Sequence, residues 1–394
     1  KGGPGFTGEG WETNSKVSWL GSEDAIVGGQ MVQIIPDWPV TTRLCGKDWN
    51  TSYNYQANVL MFMPLLSLDP VTLDYVPALA THWWISDDKT TYRYRIDPAA
   101  EWSDGSPITA EDVVATWKLR VDPKILEPSS LSVFGKFEEP KALSKYIVEV
   151  KVKEDGWRNF MTFSSSLQVF PADEISIPGD QYLDDFQFKY TKSSGPYLVN
   201  ESDIIQGQSI TMTRQPDWWG WSVPTNKGKF NFDSIKYVVV KEPGLQFEKL
   251  KKGEFDYFVI PKAQWYAEEM PALDAVKRGL LVRRKFQNDS PKGTAGIAIN
   301  TSRKNLDDVR IRKALQYLMD RKTMIEKLYF NEYDPIHSYW QFGGYANPKN
   351  ELIGYDELAA VELLEASGWT ELDGDGFRVK DGNKLQFTVQ YRSA

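Results

Sequence analysis

The stretch Trp102-Ser103-Asp104-Gly105-Ser106-Pro107-Ile108-Thr109-Ala110-Glu111-Asp112-Val113 holds an Asp-Gly turn followed directly by a helix start. Asp104-Gly105 suits a tight turn, because glycine tolerates the left-handed backbone that such turns need. Thr109 is placed to cap the amide three residues on, and Glu111 and Asp112 favour the positive end of a helix. Val113, Val114 and Trp117 give that helix an apolar stripe, and Asp122-Pro123 stops it. Trp102 is expected to pack beneath its turn. On either side lie alternating segments. In 91–96, Tyr92, Tyr94 and Ile96 share one face and Arg93 and Arg95 the other; 146–153 alternates likewise, so both read as half-buried strands.

Further out, residues 1–24 are rich in Gly, Ser and Thr and read as a loose lead-in. A strand over 30–35 is closed by Pro36-Asp37-Trp38-Pro39. The polar stretch 45–58 enters an apolar run at Val59. From about residue 195 the spacing changes to strand, helix, strand: 209–213 and 235–240, a helix over 245–252, then a strand over 255–260. That order favours a parallel crossover. Strands are expected over 280–285, 295–300 and 385–391, and helices over 308–320, 324–330 and 355–367, the last closed by Gly368.

With 394 residues, two or three domains are expected. The net charge is −8, which speaks against a nucleic-acid binder or a polybasic membrane-surface protein. No apolar stretch approaches the roughly 20 residues that span a bilayer. Cys45 stands alone, and His82 and His337 are the two histidines. Disulfides, zinc sites and most Ser-His-Asp schemes are therefore poor fits. The aromatic excess of 15 Trp, 19 Tyr and 19 Phe suits a cavity-lining protein or a large core.

Several ordered motifs resemble the family 5 extracellular solute-binding proteins of peptide-type ABC importers. They are Pro77-Ala78-Leu79-Ala80 with the 102–113 stretch, Gly195-Pro196-Tyr197, Pro216-Asp217-Trp218-Trp219-Gly220, Phe232-Asp233-Ser234-Ile235, Gly253-Glu254-Phe255-Asp256, Ile299-Asn300-Thr301-Ser302, Asp307-Asp308-Val309-Arg310-Ile311-Arg312 and Glu362-Leu363-Leu364-Glu365-Ala366-Ser367-Gly368-Trp369. Asn226-Lys227-Gly228-Lys229-Phe230-Asn231 is similar to the Yej-type branch, which is associated with oligopeptides and microcin C. The resemblance implies an α/β, periplasmic-binding-protein-like two-lobe (type II) fold. Lobe one would be 1–45 plus 191–270, its inserted subdomain 46–190, and the first half of lobe two 271–394, with that lobe truncated. It implies no catalysis, no cofactor and no metal. The implied protein is a monomer that binds an oligopeptide or similar small ligand and docks on an ABC permease, in a periplasmic or extracellular setting, with lipid anchoring left open.

Ligand-binding candidates follow from the residues and the resemblance together. Asp37 and Trp38 lie just past a strand, where open α/β sheets bind ligands, although a plain turn is the alternative. Asn50, Thr51 and Tyr53 resemble a loop that pairs with peptide amides, against a simple helix cap. Ser129 falls where the family has a cleft-facing loop. Lys262 is a carboxylate partner or a solvated lysine, and Trp265 a stacking wall. Asn300 is read as a buried residue holding backbone groups or touching ligand. His337 sits in a loop with Tyr339, Trp340 and Phe342 that borders the family's cleft. Asp373-Gly374-Asp375-Gly376 misses the calcium-loop pattern at its fifth position and favours a hairpin. An oligosaccharide binder and, in a different class, a glycoside-active enzyme remain as alternatives.

Overall fold

The computed structural model describes residues 1–19, 21–22, 24–286, 293–340 and 345–390. The chain divides into two compact units, Lys1–Phe258 and Val259–Ala394.

In unit 1, β1 (Gln30–Ile35) leads into α1 (Ser52–Met61). β2 (Ala80–Ile85), β3 (Thr91–Ile96), α2 (Ala110–Val121), β4 (Lys141–Ser144) and β5 (Ile147–Lys151) follow. The chain then returns through β6 (Ser209–Arg214), β7 (Ser234–Val239) and α3 (Pro243–Lys251). Two sheets result. The first has β7 between β1, which runs parallel to it, and β6, which runs antiparallel. The second is antiparallel in the order β2-β3-β5-β4.

The 102–113 stretch folds as its residues dictate. Asp104 accepts from the Ser106 amide at 2.9 Å, and Gly105 has φ +80°. Thr109 N donates to Asp112 Oδ2 at 2.7 Å, closing the first turn of α2. Asp112 Oδ1 accepts from Ala172 N at 2.8 Å, so one carboxylate holds two segments. Burial pushes that carboxyl above its usual range, against the pull of these hydrogen bonds. Tyr92, Tyr94 and Ile96 are buried and Trp102 packs in the same core. Each fully buried large apolar side chain contributes about 1.5–3 kcal/mol. That core also holds Ile35, Ile210, Met212 and Tyr237, so the two sheets share one apolar interior.

The crossover beyond β7 forms, but the strand expected over 255–260 contracts to a single parallel bridge, Gln33 to Tyr257. Asp256 anchors it: its amide donates to Val32 O at 2.9 Å and its Oδ2 accepts from Val32 N at 2.7 Å. The side chain takes one of the ladder positions that a longer strand would fill with backbone.

Unit 2 holds α4 (Val309–Tyr317), α5 (Arg321–Leu328), α6 (Glu357–Ala366) and a small sheet of β8 (Glu371–Leu372), β9 (Arg378–Lys380) and β10 (Asn383–Lys384). The helices begin at Asp308, Asp320 and Asp356, whose carboxylates accept from amides two or three residues on. Ile311, Ala314, Ala360, Leu364 and Trp369 form the core between α4 and α6. Gly368 adopts φ +91°, as a helix-ending glycine does. The strands expected over 280–285, 295–300 and 385–390 are not formed. A strand requires a partner for its ladder, and none is supplied there among the described residues: Leu280, Val282 and Ile297 stay exposed. Tyr391, the last residue of the third segment, lies outside the described residues, as does Phe342. The 373–376 hairpin forms between β8 and β9, and Lys384 Nζ sits 2.7 Å from Asp373 Oδ2. Among the described residues no group of His, Cys, Asp and Glu is arranged to hold a metal ion.

Candidate functional site

β1 and β7 are parallel and in register from Gln30–Ser234 to Ile35–Val239, so their C-terminal ends lie side by side. This crest is where open α/β sheets present ligand-binding loops. The loop after β1 carries Asp37, which is exposed, and Trp38, which is half-buried against the core. The indole Nε1 of Trp38 is buried and has no hydrogen-bond partner among the described residues. Both predicted residues are thus on the crest.

α1 stands beside this loop. Thr51 Oγ1 accepts from Asn54 N at 3.1 Å, so Thr51 caps the helix, and Asn50 is exposed just before it. Asn54 Nδ2 donates to Thr41 O at 2.8 Å and to Trp49 O at 2.9 Å, fixing the 36–41 loop to the first turn of α1. Tyr53 corrects the sequence reading. It is buried, its hydroxyl is 2.6 Å from that of Tyr190, and its ring meets Tyr237 edge-on at 5.0 Å. Burial holds its phenol well above the ordinary value, so it stays a neutral core group and offers nothing to a ligand. The exposed face of α1 is Ser52, Tyr55, Gln56 and Val59. Tyr55 lies 4.8 Å from Trp49, making a tilted aromatic pair.

The stretch 45–58 looked merely polar, and so Tyr55, Gln56 and Trp49 were missed. The i, i+3, i+4, i+7 spacing of Ser52, Tyr55, Gln56 and Val59 was the available signal. For Tyr190 there was no local signal.

Ser129 is exposed in the first turn of the short helix Pro128–Phe134, not in a loop. Glu127, which precedes that helix, accepts from Gly46 N at 2.7 Å and Trp49 Nε1 at 2.9 Å, and pairs with Arg120 at 3.5 Å. Glu127 thereby ties the start of that helix to the chain that enters α1. Cys45 is buried, with its Sγ 3.4 Å from the Tyr182 hydroxyl, and burial raises its thiol.

The remaining candidates lie in unit 2. Trp265 is buried, so its indole is a packing element rather than an open stacking wall, and Lys262 Nζ rests 4.7 Å from its ring centre. Asn300 is exposed, contrary to the buried position expected. Its Oδ1 accepts from Ser302 N at 3.0 Å, which makes it a turn-former. His337 is exposed, and its carbonyl accepts from Asn350 Nδ2 at 2.8 Å. Within its own unit, the crest brings together Asp37, Trp38, Asn50 and Thr51.

A shallow depression of about 560 Å³ in unit 1 lies elsewhere, at the N-terminal ends of the same strands, lined by Ile26, Leu60, Tyr197, Phe230, Phe232 and Ile235 among others. None of the predicted residues lines it. We place the candidate site at the crest, where the loop carrying Asp37 and Trp38 is tied to the start of α1.

The family model described as bacterial extracellular solute-binding proteins, family 5 Middle, matches residues 74–394. YejA of Escherichia coli, an uncharacterized protein, is 29% identical over 290 residues, covering 74% of this chain and 46% of YejA. YepA of Agrobacterium fabrum, named a peptidoglycan-binding protein, is 26% identical over 295 residues, covering 72% of this chain and 46% of YepA. The chain thus spans a little under half the length of these relatives. Among solved structures, the oligopeptide-binding protein AppA of Bacillus subtilis, in complex with a nonapeptide, superposes with a TM-score of 0.69 at 20% identity, over 92% of this chain and 68% of AppA. NikA of Brucella suis, in complex with Fe(III)-EDTA, gives 0.71 at 19% identity, over 91% of this chain and 68% of NikA. These likenesses establish the periplasmic-binding-protein fold, and the YejA match supports the Yej-type branch.

Proposed function

This chain belongs to the bacterial extracellular solute-binding proteins of family 5, and from that premise we propose that it captures an extended oligopeptide for an ABC importer and delivers it to a membrane permease. Members of this family and its structural neighbours are binding proteins, not enzymes, which removes the glycoside-active alternative. The observation that carries the reading is the crest. Asp37 is exposed and Trp38 half-buried on a loop that Asn54 ties to the first turn of α1, and the outer face of α1 carries Tyr55 and Gln56. A carboxylate, an amide side chain and aromatic edges on a fixed scaffold suit an extended peptide, whose backbone supplies hydrogen bonds and whose side chains meet apolar surface. The whole protein is taken to act as a periplasmic or extracellular monomer that closes on its ligand by hinge motion. Isothermal titration of the full-length encoded protein with a library of short peptides tests this: saturable binding is expected, and binding of no peptide overturns it.

A second reading is an oligosaccharide. The Trp49–Tyr55 pair beside the crest is the observation that favours it, together with the peptidoglycan-binding name of the YepA relative. A thermal-shift panel with peptides and glycans separates the two, since only the true ligand class stabilises the folded state.

A further inference from the structure

Away from the crest, the N-terminal segment runs along the open edge of the β2–β5 sheet. Glu12 and Trp83 exchange backbone hydrogen bonds of 2.8 and 3.0 Å, Trp83 Nε1 donates to Glu12 Oε2 at 3.0 Å, and Thr13 Oγ1 donates to Thr81 O at 2.8 Å. These contacts cover the free edge of β2 at Thr81 and Trp83, where unpaired backbone groups otherwise invite foreign strands. Earlier in the segment, Arg95 Nε donates to Gly2 O at 2.7 Å, and its guanidinium stands 5.2 Å from the Phe6 ring. Phe6 meets His82 edge-on at 5.2 Å and Trp11 at 5.5 Å. Gly8 has φ +72°, and a Cβ there would stand 2.9 Å from His82 Nε2. The half-buried imidazole is therefore flanked by Phe6 and Gly8 of the segment and lies near Arg95 of β3.

We propose that His82 is a proton-operated latch for residues 1–13: the neutral imidazole keeps the segment docked on the sheet, and protonation releases it.

The placement of Arg95 sets the sign. Arg95 Nη1 donates to Thr81 Oγ1 at 2.8 Å, and that hydroxyl lies 3.0 Å from His82 Nδ1. One hydroxyl thus bridges the guanidinium and the imidazole. Protonating the ring sets a second positive charge beside the guanidinium. The groups that face the ring offer no compensation. Arg95 on β3 is cationic, and the segment contributes Phe6 and Gly8, both uncharged. Among that segment's acids, Glu12 is turned to Trp83 Nε1 and Glu9 is exposed, while Asp97 acts on Arg95. Burial first, and Arg95 second, hold His82 below its ordinary value. A docked state that resists protonation is, by linkage, weakened when the proton binds. Docking is complete above the free histidine's pKa and declines as the pH falls toward the lowered value.

Hydrogen exchange on the full chain, corrected for intrinsic rates, tests this at about pH 7.5 and about pH 5. Protection of the Glu12 and Trp83 amides is expected to fall roughly threefold or more at the acid value in the wild type, and to stay level in His82→Gln. Phe6→Ala should lack protection at both values, while the Tyr94 amide inside the sheet stays protected throughout. Equal wild-type protection at the two values, or an undiminished loss in His82→Gln, overturns the proposal. Should His82→Gln disturb the sheet, the His82 imidazole titration followed by NMR decides: a midpoint coinciding with the loss of protection supports the latch, and a mismatch overturns it.

Discussion

Asn54 Nδ2 lies 2.8 Å from Thr41 O, and this hydrogen bond ties the loop bearing Asp37 and Trp38 to the first turn of α1. The same amide also donates to Trp49 O, and Asn54 is fully buried. Asn54→Ala leaves the Thr41 carbonyl without that donor, whereas Trp49 O keeps the Thr51 amide at 2.8 Å, and a buried group left unpaired costs about 1–3 kcal/mol. Denaturant unfolding is expected to show a loss of about 1–3 kcal/mol. A loss under about 0.5 kcal/mol would mean the loop is held by other contacts.

Tyr190→Phe removes the partner of the buried Tyr53 hydroxyl, 2.6 Å away. The phenol has no solvent to turn to, so a destabilisation of about 1–2 kcal/mol is expected. The double variant with Tyr53→Phe should recover part of it, because both polar atoms are then gone. Thermal melts of the three variants measure this, and a double variant weaker than Tyr190→Phe alone refutes it.

Gly195 lies against the C-terminal end of α1, and a Cβ there would come within 2.4 Å of Leu60 O and 2.8 Å of the Met61 carbonyl carbon. Both are backbone atoms, and the Gly195 amide already donates to Met61 O at 2.8 Å. Gly195→Ala must push the two segments apart, costing about 2–3 kcal/mol. A midpoint unchanged in urea would show that the contact yields freely.

Asp69 accepts from Val71 N at 2.9 Å, Thr72 N at 3.0 Å and Ser18 N at 2.5 Å. These amides hold its carboxyl well below the usual range. A depressed carboxyl stabilises the fold above its unfolded pKa near 4, and that contribution is lost as the pH falls through the folded value. Asp69→Asn lacks it at every pH. The stability gap between wild type and variant is therefore wide near neutrality and narrows below about pH 4. A gap constant with pH contradicts this.

Asp37 is exposed at the crest. Asp37→Asn should move stability by less than about 0.5 kcal/mol while lowering affinity for a bound peptide about five- to tenfold, the worth of one charge-assisted contact. Equal affinity of the two proteins in titration calorimetry removes Asp37 from the site.

Residues 91–113 were legible from sequence because their signals are local. Alternation placed Tyr92, Tyr94 and Ile96 inward, and Thr109 with Asp112 marked the start of α2. The family, too, was legible in its ordered motifs. The expected strands over 280–285 and 295–300 failed for the converse reason: apolar composition says that a segment can pair, not that a partner is present. In the candidate site, Asp37 and Trp38 were found because they follow a recognisable strand, whereas Tyr53 was misplaced because its partner Tyr190 lies 137 residues away.

Taken alone, the sequence determined the secondary structure around the Asp-Gly turn, the amphipathic faces and the family. Only the tertiary structure decided which polar groups are held inside and which are left free. It turned Tyr53 into a buried hydrogen-bonding partner, Asp256 into a ladder residue for Val32 across 224 positions, and residues 1–13 into an edge strap. The physical reason is that periodicity records neighbours along the chain, whereas a buried donor or acceptor must be satisfied by whatever the fold brings to it.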